Sequence, residues 1–369
     1  MSPTDPKRAF GSLRLIFFIF LAVLVAFLWR SFNTHLNPSF SPNLRFSFAS
    51  QKFTERATAF INRLIVDTQQ RTQEFIDDLE VRQKNWDPEN DLHSKSGQTI
   101  NLKLSRISLN QPWKEIKVCS FNIRIFSNKS RNDQELETIA KILKNYDLIA
   151  IQELKDEDVL KRTVTILKRM GYRYDYVISP PVGKIIKERY AFLFRPEKIS
   201  LKDQGKVYLD KNDEFLREPF YAEFQAGHFD FLLVNIHVIY GNSENLRRKE
   251  ISSLAKVYRT LQKENPQEKD IILLGDFNLS PEDEGFKEFK FFEAMRSLII
   301  SPDKTTITDT NLYDNFWFQQ NFVKEYTGQS GVIRFDENIF QNNDRKAKLA
   351  VSDHRPIWAD FKIDMEDDD

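Results

Sequence analysis

Short apolar runs alternate along the chain with segments whose apolar residues recur at helical spacing. Three of the runs are LIAI at 148–151, FLLVNI at 231–236 and IILL at 271–274. They are apolar on both faces, which is typical of strands in the middle of a layered structure rather than at its surface. The pattern therefore predicts two packed sheets flanked by helices.

The same reading assigns elements to a domain that begins near Trp113 and ends at residue 364. Three helices are indicated by apolar residues three and four positions apart. They carry Leu136, Ile139, Ala140 and Leu143 in the first, Leu160, Val164 and Leu167 in the second, and Leu254, Val257, Tyr258 and Leu261 in the third. The predicted strands are 117–121, 148–151, 190–194, 231–236 and 271–274.

A membrane-type segment is predicted in residues 1–30, where Leu15–Trp29 is almost entirely apolar between basic residues. No small-residue cleavage site follows it, so we expect an uncleaved anchor rather than a signal peptide, and a buried core helix would need a polar face. Basic residues before the run favour an internal N-terminus. We therefore expect a single-pass protein whose catalytic domain lies on the non-cytoplasmic side.

Residues 31–112 are predicted to form a helical stalk and a linker. Apolar residues recur at helical spacing in 53–81, which favours an amphipathic helix or short coiled coil that could form a homodimer. A packed extension of the catalytic domain would produce the same pattern. The polar stretch 87–111 is typical of a linker, and we expect the acidic tail 365–369 to be solvated.

Composition narrows the possible partners. The chain has 54 Lys plus Arg against 54 Asp plus Glu, so no global positive field attracts a polyanion, and nucleic acid would have to meet a local patch. Hydrophobic residues make up 41% of the sequence, which is enough for a sizeable core. Cys119 is the one cysteine, so neither an intrachain disulfide nor a cysteine set for zinc is available.

Polar residues follow the predicted buried strands at corresponding ends, where sites in open α/β sheets are built. A core does not need carboxylates, amides and imidazoles at such positions, and five strand ends share them. The residues are Asn122, Gln152, Glu153, Asn235, His237, Asp276, Asn278, Asp353 and His354.

This set suits the hydrolysis of a phosphodiester. Oxygen atoms of Glu153 and Asn122 are ligands that Mg²⁺ accepts, with Mn²⁺ as a substitute, and the cation would polarise a phosphoryl oxygen. His237 and His354 could supply a base for water and an acid or charge stabiliser. A neutral amide such as Asn278 can orient water without repelling the phosphate.

These residues resemble the endonuclease/exonuclease/phosphatase superfamily, and within it the deoxyribonuclease I-like branch. The resemblance covers about residues 115–362, and its stretches occur in the same order: SFNIRIF, YDLIAIQELKD, KERYAFLFRPEKIS, REP, GDFN, TNLYD and SDHRP. It implies a four-layered αββα sandwich of two mixed β-sheets and cleavage of DNA to 5′-phosphate ends.

The resemblance also implies roles for individual residues. The metal ligands would be Asn122, Glu153 and Asp353. Two catalytic pairs would form, because Glu188 would orient His237 and Asp314 would partner His354. Asp276 and Asn278 would complete the catalytic set. DNA would be contacted by Lys155, Arg189 and Arg217.

The chain departs from that pattern in places. Residues 211–213 replace a cysteine-bearing loop, so the calcium sites of the family cannot be carried over. Ile186 stands where a tyrosine usually packs in the DNA minor groove, and Lys155 replaces a groove-reading arginine. Two other functions stay open: a phosphodiesterase acting on sphingomyelin or a phosphoinositide, and a scaffold of the same fold without catalysis. The chain lacks the motif typical of phosphoinositide phosphatases, and every expected catalytic position is filled.

Overall fold

Two mixed β-sheets dominate the computed structural model, which describes residues 113–184, 186–241 and 243–366. The strands of the first sheet are β1 (Glu115–Phe126), β2 (Leu148–Leu154), β3 (Asp175–Ile178), β4 (Arg189–Phe194), β12 (Tyr326–Val332) and β13 (Ile357–Lys362). Those of the second are β5 (Ser200–Leu201), β6 (Lys206–Val207), β7 (Phe220–Ala226), β8 (Phe229–His237), β9 (Ile271–Asp276), β10 (Met295–Ser297) and β11 (Asp314–Gln319).

The strand orders place a parallel pair inside each sheet. The first sheet runs β12-β13-β1-β2-β4-β3, and the second runs β10-β11-β9-β8-β7-β5 with β6 beside β7. Strands β1 and β2 are parallel, as are β8 and β9, while the other pairs are antiparallel. The carboxyl ends of β8 and β9 meet, with His237 opposite Asp276.

The helices cover the outer faces of the sheets. They are α1 (Asp133–Leu143), α2 (Glu157–Arg169), α3 (Glu244–Glu264), α4 (Phe335–Asn338) and α5 (Asp344–Ala350), with a 3₁₀ helix at Glu284–Phe291. Helix α1 begins in a capping box, because Asn132 accepts from the Glu135 amide and the Glu135 carboxylate accepts from the Asn132 amide. Asp156 caps α2 through the Val159 amide.

Successive side chains of each strand point to opposite faces of its sheet, so the core has three apolar layers. These layers lie between four layers of secondary structure. Val118 and Leu148 face the second sheet, while their neighbours Cys119 and Ile149 pack under α1 and α2. The outer face of the second sheet packs on α3. The fold is therefore an α/β sandwich, and the five predicted strands and three predicted helices are confirmed.

The prediction of a single-pass membrane protein, with the membrane as a partner, has to be corrected. Within the described ranges, no helix combines the length and apolar character that crossing a bilayer requires. The longest, α3, has 21 residues and carries charges along its length. The run Leu15–Trp29, the stalk 31–112 with its pairing segment 53–81, and residues 367–369 of the tail lie outside the described residues.

Gly275 occupies a position that other residues cannot take. Its φ is +142°, and a Cβ there would lie 2.0 Å from the Ile236 carbonyl oxygen of the neighbouring strand. We expect Gly275→Ala to lower the free energy of unfolding by at least about 3 kcal/mol, because strand β8 would have to shift. Gly171→Ala is the control, since Gly171 also has a positive φ, +90°, but nothing within 4 Å of the added Cβ. Equal denaturant midpoints for the two variants would contradict the prediction.

Candidate active site

At one edge of the sandwich, polar residues follow the apolar residues that face inward between the two sheets. In β8, the inner residues Phe231 and Leu233 are followed at the same spacing by Asn235 and His237. The inner face of β9 likewise passes from Leu274 to Asp276. Period-two alternation thus carries the polar groups into the space between the sheets. The inner polar positions at this edge are Asn122, Gln152, Glu188, Asn235, His237, Asp276 and Asp314.

Asp276 lies at the centre of this group. Its Oδ2 is 3.7 Å from His237 Nε2 and 3.6 Å from His354 Nε2, and it accepts a 3.0 Å hydrogen bond from Asn122 Nδ2. Its Oδ1 accepts from the Asn278 amide at 2.8 Å. The imidazoles of His237 and His354 therefore both face the buried carboxylate of Asp276.

The first histidine is held by a buried ion cluster. His237 Nδ1 lies 2.8 Å from Glu188 Oε1, which also contacts Arg217 Nε, and Lys155 Nζ lies 3.6 Å from Glu188 Oε2. Burial opposes ionisation of Glu188, but Arg217 and His237 outweigh it and hold the pKa of this carboxyl well below its usual range. A carboxylate at Nδ1 fixes the imidazole so that Nε2 faces Asp276.

The second histidine has a separate carboxylate. His354 Nδ1 lies 2.8 Å from Asp314 Oδ2, and Thr305 Oγ1 accepts from the Asp314 amide at 3.1 Å. Burial disfavours the charged imidazole, but Asp314 and Asp276 prevail and raise the pKa of His354 well above its ordinary value. The two carboxyl groups therefore favour the protonated form of the His354 imidazole.

Glu153 reaches its position through an unusual backbone conformation. Simple alternation after inner Gln152 would turn its side chain toward the helices, but Glu153 has φ +60° and the β2–β4 pairing shifts register between Ile151 and Leu154. Its Oε2 accepts from the Ile125 amide at 2.9 Å, and Ile125 itself has φ +44°. Left-handed backbone at such residues is costly and is common at functional sites.

Asp353 and Arg189 bond away from the central group of the site, whereas Asn278 and Arg217 contact it. Asn278 has φ +52° and donates to the Val238 carbonyl at 2.9 Å. Asp353 is 35% exposed and pairs with Lys348 at 3.2 Å rather than with the central cluster. Arg189 donates to the Ser179 carbonyl at 2.7 Å. Arg217 is buried against Glu188.

Several positioning residues were missed by the sequence reasoning. Tyr190 Oη accepts from the His237 amide at 3.1 Å, Thr305 holds the Asp314 amide, and Ser352 Oγ links the Asn122 carbonyl at 2.6 Å to the His354 amide at 3.1 Å. Arg131 donates to the carbonyls of Leu349 and Val351, just before the His354 loop. A hydroxyl or guanidinium that bonds to distant backbone leaves no local pattern in the sequence.

The site has the donors that a divalent metal needs. Asn122 Oδ1 is buried and has no hydrogen-bond partner among the described residues, and the same holds for Asp314 Oδ1. Asp276, Asp314 and His354 each offer a ligand atom, and these atoms lie within 4.8 Å of one another. A protonated imidazole has no lone pair for a metal, so the carboxylate and amide oxygens of this edge are the groups that fit a divalent cation.

Sequence and structure comparisons identify known proteins that are similar to this chain. The sequence profile of the Endonuclease/Exonuclease/phosphatase family matches residues 119–329. A Deoxyribonuclease of Thioalkalivibrio sp. (strain K90mix) is 28% identical over 264 residues, 67% of this chain and 71% of that protein. Deoxyribonuclease-1 of Bos taurus is 30% identical over 281 residues, 70% of this chain and 96% of that protein. A solved family member from Bacteroides thetaiotaomicron aligns with a TM-score of 0.49 and 16% identity, over 69% of this chain and 100% of its own.

Because the profile spans more than half of the sequence, the chain belongs to the endonuclease/exonuclease/phosphatase family. Within that family it is a member of the deoxyribonuclease I-like branch and a hydrolase of phosphodiester bonds. The resemblance seen in the sequence is thereby confirmed.

Proposed function

We propose that this protein is a metal-dependent endonuclease that hydrolyses DNA to 5′-phosphate ends, and that residues 113–364 are its catalytic domain. The observation that carries the proposal is the pair of carboxylate-bound histidines facing Asp276. Phosphodiester hydrolysis needs proton transfer or charge stabilisation on both sides of the phosphorus. The relatives named deoxyribonuclease support DNA as the substrate.

The two histidines receive different roles. His237, fixed through Nδ1 by Glu188, presents Nε2 as the base that takes a proton from water. His354, whose pKa is raised by Asp314 and Asp276 against the effect of burial, is the acid or charge stabiliser for the leaving oxygen. Asn278 can orient water as a neutral amide.

Glu153 and Asn122 would hold Mg²⁺, with Mn²⁺ as a substitute and Asp353 as an outer ligand. The unpaired Asn122 Oδ1 and the charge of Glu153 are the features that fit the cation. Bound metal would supply charge neutralisation at a phosphoryl oxygen. Arg217 fits a phosphate contact, because its terminal nitrogens are buried with no hydrogen-bond partner among the described residues. Lys155 and Arg189 are proposed to contact the DNA backbone.

Chelation tests the metal requirement directly. We expect the purified full-length protein to nick supercoiled plasmid DNA with Mg²⁺ or Mn²⁺, to lose activity in EDTA, and to regain it when Mg²⁺ is added in excess. Parallel assays with sphingomyelin and a phosphoinositide are the substrate controls. Full activity in EDTA would refute metal dependence, whereas turnover of a lipid without DNA cleavage would refute the substrate.

A further inference from the structure

An exposed aromatic residue stands just beyond the catalytic edge of the second sheet. Tyr240 is 54% exposed and follows His237 by three residues. Three residues of chain span at most about 11 Å, so Tyr240 lies within reach of a substrate bound at His237. The proposed chemistry gives this residue no role.

The two residues before Tyr240 are held by hydrogen bonds to the β9 end and to α3. The Val238 amide donates to the Asp276 carbonyl and its carbonyl accepts from Asn278 Nδ2, each at 2.9 Å. The Ile239 amide then donates to Glu250 Oε2 on α3 at 2.7 Å. The backbone that leads to Tyr240 is therefore held in place before a ligand binds, which lowers the entropy cost of binding.

Other groups of the site surround the same position. Asp314 pairs with Asp276 in the antiparallel register, so Tyr313 also lies just past this sheet edge. The Phe277 amide donates to the Tyr313 carbonyl at 2.9 Å, which holds Tyr313 beside the segment that follows Asp276. Arg247 is 8% exposed, and its Nε has no hydrogen-bond partner among the described residues.

We propose that Tyr240 is a stacking platform for a nucleobase next to the scissile phosphate, with Arg247 and Tyr313 beside it on the sugar-phosphate side. This inference rests on the proposed DNA substrate and deepens it. Every base offers a π face, so stacking on one exposed tyrosine gives affinity with little sequence preference. A phosphoinositide headgroup, which has neither an aromatic ring nor a quaternary ammonium group, would gain little from this residue.

Steady-state cleavage of a single-stranded DNA oligonucleotide by the full-length protein tests the platform, because the faces of its unpaired bases are free to stack. Loss of one stacked base should raise the KM of Tyr240→Ala about 5- to 100-fold, while kcat stays within about twofold because the contact is the same in ground and transition states. Tyr240→Phe should restore KM, because stacking does not need the hydroxyl. Phe291→Ala is the matched control, since Phe291 is 76% exposed on the 3₁₀ helix.

A single abasic residue in the same oligonucleotide gives a second readout. In the wild-type protein, cleavage at one phosphodiester flanking the abasic residue should fall, and in Tyr240→Ala that difference should disappear. If the wild type cleaves DNA and Tyr240→Ala has the wild-type KM, the platform is refuted and the nuclease assignment stands. If the wild type hydrolyses a lipid diester but no DNA, the nuclease assignment fails and the platform falls with it.

Discussion

Replacing Glu153 with glutamine should remove most of the hydrolytic activity while the protein stays folded. The change keeps the side-chain volume, and the new amide oxygen can still accept from the Ile125 amide, which Glu153 Oε2 now does at 2.9 Å. What disappears is the negative charge proposed to hold Mg²⁺. Loss of such a ligand should lower kcat/KM by at least about 100-fold at a fixed Mg²⁺ concentration.

Two measurements separate metal binding from folding in this variant. The apparent Mg²⁺ affinity from activity titration should weaken, and thermal unfolding without metal should match the wild type. Glu137→Gln makes the same chemical change on the exposed face of α1 and should leave both quantities as they are. Wild-type turnover of Glu153→Gln at saturating Mg²⁺ would remove Glu153 from the ligand set.

The sheets could be predicted because buried strands carry a strong local signal. The run IILL is apolar on both faces, and the structure places it in β9 between two apolar layers. Strand β12 could not be found in this way, since its sequence YTGQSGV is polar and only partly buried at the sheet edge. Strand β7 alternates between buried and partly buried residues with period two, so its sequence FYAEFQA does carry a strand signal.

The site could be predicted only in part from local pattern. Residues at strand ends were located because the carboxyl ends of parallel strands coincide, as His237 and Asp276 do. The partners Glu188 and Asp314 came from the family resemblance, because they lie 49 and 40 residues from their histidines. Contacts over such separations depend on tertiary structure, which no periodicity in the sequence records. The burial of Arg217 against Glu188 also arises only in three dimensions.

The histidine pairs should each act as one unit in catalysis. His237→Ala and His354→Ala should each lower kcat by about 10²- to 10⁴-fold, the usual contribution of a general acid or base. Removing the carboxylate partner acts through the same imidazole, because it frees the ring orientation and tautomer. The combined loss in a double mutant should therefore be much smaller than the product of the single losses.

The Asp314–His354 pair gives the cleaner double-mutant cycle. Asp314→Asn keeps an oxygen near His354 Nδ1 and the amide that donates to Thr305, so its main change is the lost charge. Glu188→Gln is different, because Arg217 is 2% exposed and would keep its charge without the carboxylate that it contacts. Breaking a buried pair in this way typically costs about 3–5 kcal/mol of stability. Thermal unfolding must therefore accompany every rate in the Glu188–His237 cycle.

We expect three results from the two cycles taken together. Asp314→Asn and Glu188→Gln should both slow plasmid nicking, yet only Glu188→Gln should lower the unfolding temperature strongly. Adding either carboxylate change to its histidine→Ala variant should cost less than about threefold more in kcat, since the group it served is already gone. The Mg²⁺ concentration at half-maximal rate should stay constant in the Glu188–His237 cycle, because neither residue is a proposed ligand. Full multiplication of the single losses, or near wild-type nicking by either histidine variant, would show that the site uses other residues for proton transfer.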